Sequence, residues 1–377
     1  MTAAAHLSAR VNPFFTPGVF PAAPLEEVRA FHRSLPGYAP TPLIELPGLA
    51  ASLGLGSLYL KDEGRRFGLE AFKALGASWA LHRIRQGRSG PMTVSTATDG
   101  NHGRAVAWAA RQLGLPAVIF IPAHAAPARV ARIRSEGARV ELVEGTYDDA
   151  VRRCALESDR NGWQVVADVG YEGYLDIPNQ IVEGYATLFQ EIDEQLEAAG
   201  LPAPNLVMVQ AGVGSLLHAA VNHYRARTDQ PMMVAVEPVQ SDPLLASINT
   251  DDGRPAPSRG RQDSIMAGLN CGSVSLAAWP TVRRGVELFM TVSDRFAAEA
   301  MRRLARPVGG DPPVVAGESG AAGLAGLLAL LEAPELRFAL EFLRLGRATR
   351  LLVINTEGAT DPEGYRRVVE ADDSGLG

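Results

Sequence analysis

Short runs of β-branched and apolar residues recur along this chain, and longer stretches of helical periodicity separate most of them. The strand-like runs fall at 58–60, 92–95, 117–121, 139–143, 164–167, 206–210, 233–236, 289–292 and 351–354. Helical patterns are predicted at 25–34, 71–84, 102–113, 147–160, 179–199 and 216–226. Thr146 with Asp149 reads as a capping-box start for the fourth of these. Strands alternating with helices predict parallel sheets covered by helices on both faces, an α/β fold. In such sheets ligands bind at the carboxyl ends of the strands. Two glycine clusters, Asp99–Gly103 and Gly212–Ser215, each follow a predicted strand and so belong on that rim. The proline-rich first 56 residues carry one helical segment, and the polar stretch 250–262 reads as a surface loop or flap.

Composition narrows the picture. The chain has 377 residues, 46% of them hydrophobic and 21% charged, enough for one large core or two ordinary ones. The net charge is −6 with no long basic run, which argues against nucleic-acid and anionic-membrane partners. Cys154 and Cys271 form neither a disulfide framework nor a metal-ligand spacing, so no metal is expected and the expected compartment is the cytoplasm. No apolar run has membrane-spanning length, and the first residues do not read as a signal peptide.

The chemistry sits in three places. Lys73 closes the step Glu70-Ala71-Phe72-Lys73 at the start of a helical run. Alone, such a lysine is most often a solvated surface residue. A helix N-terminus and partial desolvation both lower its pKa, however, and a free amine condenses with a carbonyl. Gly212-Val213-Gly214-Ser215 opens a helix, where converging backbone N–H groups suit a phosphate. A dinucleotide fingerprint is the rival reading of that loop, with Glu237 as its acid, but Leu217 stands where the third glycine belongs. Thr98-Asp99-Gly100-Asn101-His102-Gly103 offers backbone amides for a second anion, and Asn101 is a donor for a phenolate oxygen. A condensing lysine, a polar loop and a phosphate loop are the parts that a pyridoxal phosphate site requires.

The wording of these segments resembles the fold type II, or tryptophan-synthase-β-like, pyridoxal phosphate enzymes. Within that group, the stretch from Lys61 to Gly76 and the Asp99-Gly100-Asn101 step are most similar to the diaminopropionate ammonia-lyases, and the likeness runs from about Asn12 to Asp361. The resemblance implies two domains, each an open, mostly parallel sheet flanked by helices: residues 1–75 with 190–377 as the larger, cofactor-binding one and 76–189 as the smaller. It implies Lys73 as the Schiff-base residue, with Phe72, Asn101, Gly212, Val213, Gly214, Ser215 and Thr356 around the cofactor. Thr356 would meet the pyridine nitrogen, and Glu318 lies in a segment that packs nearby.

Asp99 and Asp168 would be active-site acids, the latter in Asp168-Val-Gly170-Tyr171-Glu172-Gly173-Tyr174. The plain alternative for both is a turn or capping aspartate. The implied reaction is α,β-elimination of 2,3-diaminopropionate to pyruvate and ammonia. Lys73 or Asp99 would take the Cα proton, and Asp168 or Asp99 would supply charge or a proton to the leaving amine. Members of this type accept both D and L substrates. A homodimer is expected. The rival enzyme is a serine or threonine dehydratase of the same fold, and the rival of another class is a non-catalytic cofactor-binding protein. Two carboxylates beside the lysine speak against both.

Overall fold

The computed structural model describes residues 6–18, 20, 25–98 and 100–371. Its strands are β1 (Ala9–Val11), β2 (Leu43–Glu45), β3 (Ser57–Asp62), β4 (Val94–Ala97), β5 (Ala117–Pro122), β6 (Arg139–Val143), β7 (Gln164–Val165), β8 (Leu206–Gln210), β9 (Met232–Pro238), β10 (Leu288–Val292) and β11 (Arg350–Asn355). All nine predicted strands are present. The two that patterning missed, β1 and β2, are three-residue edge strands, and both pair antiparallel to their neighbours.

Two sheets result. The larger has the order β1-β10-β9-β8-β11-β3-β2 and the smaller β6-β5-β4-β7. Apart from its two edges the larger sheet is parallel, and the smaller is parallel throughout. This is the α/β, fold type II architecture expected, with strands buried on both faces as parallel strands are.

Helices join the sheets. Helix Lys73–Gln86 packs on helix Asp176–Ala198, which also packs on helix Ser215–Arg225 of the larger sheet. The first of these contacts is backbone-close at two glycines. A Cβ on Gly76 would lie 2.6 Å from the Tyr185 ring and 2.7 Å from the Ile181 carbonyl oxygen, and one on Gly184 would lie 2.7 Å from Gly76 Cα. One apolar cluster therefore runs from Val94 and Ile119 of the smaller sheet, through Ile181 and Phe189, to Val207 and Met233 of the larger. The expected boundaries at 75/76 and 189/190 each fall inside one of these continuous helices.

Helix Asp176–Ala198 begins three residues before its predicted start, with Pro178 in its first turn, where the missing N–H is no loss. The capping box of Thr146 and Asp149 forms as predicted. The stretch 250–262 carries no helix or strand and is pinned, with the Gln262 N–H donating to the Gln240 carbonyl and Trp279 Nε1 to that of Gly253.

Candidate active site

β3, β8 and β11 run parallel side by side, so the segments after their last residues share one rim. The chain leaves β3 through a tight 3-10 segment, Glu63–Gly68, and reaches Lys73 as the first residue of its helix. A buried ionic network holds that segment. Glu191 of helix Asp176–Ala198 accepts from Lys61 Nζ at 2.8 Å and from both terminal nitrogens of Arg66 at 2.7 and 2.8 Å. Arg66 also donates to Glu63 at 2.7 and 2.8 Å, and Thr41 Oγ1 donates to Glu63 at 2.5 Å. Two cations and two carboxylates at 0–1% exposure balance in charge. Each satisfies the others' hydrogen bonds, as burial of ions requires. Phe67 and Glu70 then turn through left-handed backbone, φ 51° and 61°, and the Glu70 carboxylate pairs with Arg132.

Lys73 emerges facing Asp168. Its Nζ donates to Asp168 Oδ2, with the two side chains 22% and 11% exposed. His102 approaches the same oxygen at 3.6 Å through Nδ1, while its Nε2 lies 2.9 Å from the Val166 carbonyl. Burial alone would lower the Lys73 pKa, but the charge and hydrogen bond of Asp168 outweigh it and hold the amine above the ordinary lysine value. The predicted lowering is thus reversed, because a carboxylate 95 positions away in sequence faces the amine. Burial likewise works to raise the Asp168 pKa, and its neighbours His102 and Lys73 override it, pushing the carboxyl well below its usual range. Asp168 is accordingly a carboxylate. It offers charge, not a proton.

The glycine loop stands beside this pair. Ser215 Oγ donates to the Asp168 backbone carbonyl at 3.0 Å, and Ser275 Oγ accepts from the Gly170 N–H at 2.8 Å while the Ser275 N–H donates to the Val213 carbonyl at 2.9 Å. Gly214 takes φ +98°, and a Cβ on Gly212 would lie 2.8 Å from Cys271 Sγ. No side chain caps helix Ser215–Arg225 at Gly214, so the loop presents backbone N–H groups at an eleven-residue helix N-terminus. Together with a partly buried lysine, that donor set fits an aldehyde-bearing phosphate ester such as pyridoxal phosphate.

These features ask for a family with a condensing lysine and a glycine phosphate loop. A family model described as pyridoxal-phosphate dependent enzyme matches residues 34–339. The diaminopropionate ammonia-lyase of Salmonella typhimurium is 39% identical over 368 residues, covering 91% of each chain. This chain belongs to the diaminopropionate ammonia-lyase family. Among solved structures, the Escherichia coli diaminopropionate ammonia lyase in complex with an aminoacrylate-PLP azomethine reaction intermediate matches with a TM-score of 0.90 at 37% identity over 97% of both chains. The same Escherichia coli enzyme in complex with D-serine matches with a TM-score of 0.90 at 36% identity over 98% of both.

Four more residues are expected in this family's site: Phe72, Thr356, Asn101 and Asp99. Phe72 donates its N–H to the Thr356 carbonyl at 3.2 Å and packs its ring on Tyr185 at 4.8 Å. Thr356 is buried, and its hydroxyl accepts from Gln210 Nε2 at 3.1 Å. Asn101 is the first residue of its helix and donates its amide to the Glu357 carboxylate. Asp99 lies outside the described residues. Sequence reasoning missed Glu357, Tyr185, Ser275 and the orienting part of Gln210. Each sits on a different element from the group it serves, and no local pattern marks it. Among the described residues no group of three or more His, Cys, Asp or Glu side chains is arranged to hold a metal ion, and no helix is long and apolar enough to cross a membrane.

Proposed function

We propose that this chain is a carbon–nitrogen lyase that converts 2,3-diaminopropionate and water to pyruvate and two molecules of ammonia. The observation that carries the reading is the Lys73–Asp168 pair set against the uncapped glycine loop, in a chain that matches diaminopropionate ammonia-lyases over nine-tenths of its length. When bound, pyridoxal phosphate supplies the carbonyl that captures an amine and the electron sink for a carbanion at Cα.

The side chains divide the remaining work. Lys73 anchors the cofactor and, once released by the substrate amine, takes the Cα proton from its own face. Asp99 takes it from the other face, which accounts for use of both D and L substrates. Asp168, held as a carboxylate, attracts the β-ammonium group and keeps it charged, so that the group leaves as neutral ammonia when it takes the electron pair of the breaking carbon–nitrogen bond. Gly212, Val213, Gly214 and Ser215 bind the phosphate, Asn101 the ring oxygen and Thr356 the pyridine nitrogen. Two side-chain carboxylates suit a diamine, whereas a hydroxyl leaving group calls for neither. That distinction and the full-length match favour the lyase over a serine or threonine dehydratase.

We also infer a homodimer in the cytoplasm, and a division into 76–189 and the remainder (1–75 with 190–377). The strands of the smaller sheet all lie within the first of these. The test is kcat/KM for each enantiomer with Asp99→Asn and Asp168→Asn. Loss of a general base costs about 10²–10⁴-fold. Asp99→Asn should impose that loss on one enantiomer, the D form, and Asp168→Asn, which removes the charge facing the β-ammonium group, should slow both. Equal losses for D and L substrate in Asp99→Asn would refute the two-base scheme.

A further inference from the structure

Glu357 has no part in the scheme above, yet it is buried at the centre of the site. It follows β11 in the turn that leads to Thr360, and it is 6% exposed. Its Oε1 accepts from the Ser319 N–H at 3.2 Å, its Oε2 accepts from Thr360 Oγ1 at 3.3 Å, and the same Oε2 accepts from Asn101 Nδ2. Its backbone carbonyl takes the Gly317 N–H at 2.9 Å, and Glu357 pairs across a bridge with Ala71, two residues before Lys73. The carboxylate is therefore fixed from two sides by the larger sheet's own loops. The group it holds, Asn101, comes from the helix after β4 of the smaller sheet.

A primary amide is nearly symmetric in shape but opposite in polarity at its two ends. Turned one way, Asn101 offers N–H to an oxyanion, and turned the other way it offers an oxygen that repels it. A carboxylate only accepts, so it selects the nitrogen end. That nitrogen carries two hydrogens. One is spent on Glu357, and the second stays on the same end of the amide.

We propose that Glu357 is a positioning residue that locks the Asn101 amide with its nitrogen, not its oxygen, available to the cofactor's ring oxygen. This rests on the reading that Asn101 serves that oxygen. A glutamine at 357 would present an acceptor or a donor equally well and would release the lock while keeping size and shape.

The experiment is a double-mutant cycle on the cofactor-loaded protein, read as pyridoxal phosphate Kd and as the position of the visible absorption band. Asn101→Ala and Glu357→Gln should each weaken cofactor binding, by about tenfold for loss of a hydrogen bond to a charged oxygen, and each should shift the band. In the Asn101→Ala background, adding Glu357→Gln should change neither. If Glu357→Gln weakens binding equally with and without Asn101, the residue acts on the fold alone and the proposal is overturned. If Asn101→Ala moves both readouts but Glu357→Gln moves neither, the proposal fails and the Asn101 reading stands. If Asn101→Ala itself moves neither, the Asn101 reading fails and the proposal with it. Should Glu357→Gln not fold, Glu357→Asp retracts the carboxylate by one methylene with its charge intact. It should shift the band in the same cycle, and no shift overturns the proposal.

Discussion

Replacing Asp168 with asparagine keeps the side chain's size and an acceptor for Lys73 but removes the charge that holds Lys73 as an ammonium. In the parent, burial favours the neutral amine and the Asp168 carboxylate wins against it, so the Lys73 pKa lies above its ordinary 10.5. With the carboxylate gone, burial is the largest influence left, and the pKa falls below that value. At about pH 7.5 an ordinary lysine is free amine in roughly one molecule in a thousand, and each unit of pKa changes that fraction tenfold. Capture of an aldehyde needs the free amine. The rate at which the visible band grows when limiting pyridoxal phosphate meets the cofactor-free protein should therefore rise at least about tenfold in Asp168→Asn. In the parent that rate should climb steadily with pH across the neutral range, and in the variant it should level off at a lower pH.

Stability runs the other way. In the parent the raised lysine pKa contributes stability that is fully present below 10.5 and lost as pH rises through the folded value. The depressed Asp168 pKa contributes stability present above 3.8 and lost as pH falls through its folded value. Both contributions are whole at neutral pH, and removing one partner of such a pair costs about 3–5 kcal/mol when the other stays charged. In the variant Lys73 can shed its charge, so the Tm deficit should be largest near neutrality and shrink as pH approaches 10.5. Faster capture with a large loss of turnover is the expected pairing. An unchanged capture rate with an unchanged pH profile would show that Asp168 does not hold Lys73 charged.

Two further outcomes follow from local geometry. Gly212→Ala puts a Cβ 2.8 Å from Cys271 Sγ and should weaken cofactor binding, and the double change with Cys271→Gly should recover part of it; no recovery would mean that the clash is not what Gly212 avoids. Burial, with the nearby charges of Glu357 and Asp361, raises the Glu318 pKa from 4.5 to about 7, so the folded state keeps a proton that the unfolded state loses and stability falls as pH rises between those values. Glu318→Gln abolishes that loss, which is on the order of 3 kcal/mol, and should raise Tm at about pH 8 and not at about pH 4.5; an equal change at both would remove Glu318 as the cause.

What was legible in the sequence was whatever is written locally. Parallel strands buried on both faces produce continuous apolar runs, as in β5, β8, β9 and β10, while β1 and β2, half-exposed and three residues long, carry no such run. Helix Pro127–Ser135 carries no legible apolar stripe, because four of its nine residues are arginine or serine and only Val130 and Ile133 are buried. The lysine, the glycine loop and Asp168 could be named because each lies in a compact motif. Their electrostatics could not be read in the same way. The helix N-terminus and desolvation argue for a depressed Lys73 pKa, and burial does act in that direction. What reverses the sign is Asp168, brought to Lys73 by the strand order β5-β4-β7 and by the packing of helix Lys73–Gln86 on helix Asp176–Ala198.

Glu357 shows the same limit. In the chain it reads as one more polar residue after a strand, and it becomes a partner of Asn101 only because β4 and β11, in different sheets, end at one cleft. Motifs therefore name candidate groups for a cofactor site, and topology decides in which protonation state and orientation those groups arrive. Where a predicted role depends on a charge, as it does for Lys73 and Asp168, the side chain across the cleft has to be known before the role can be assigned.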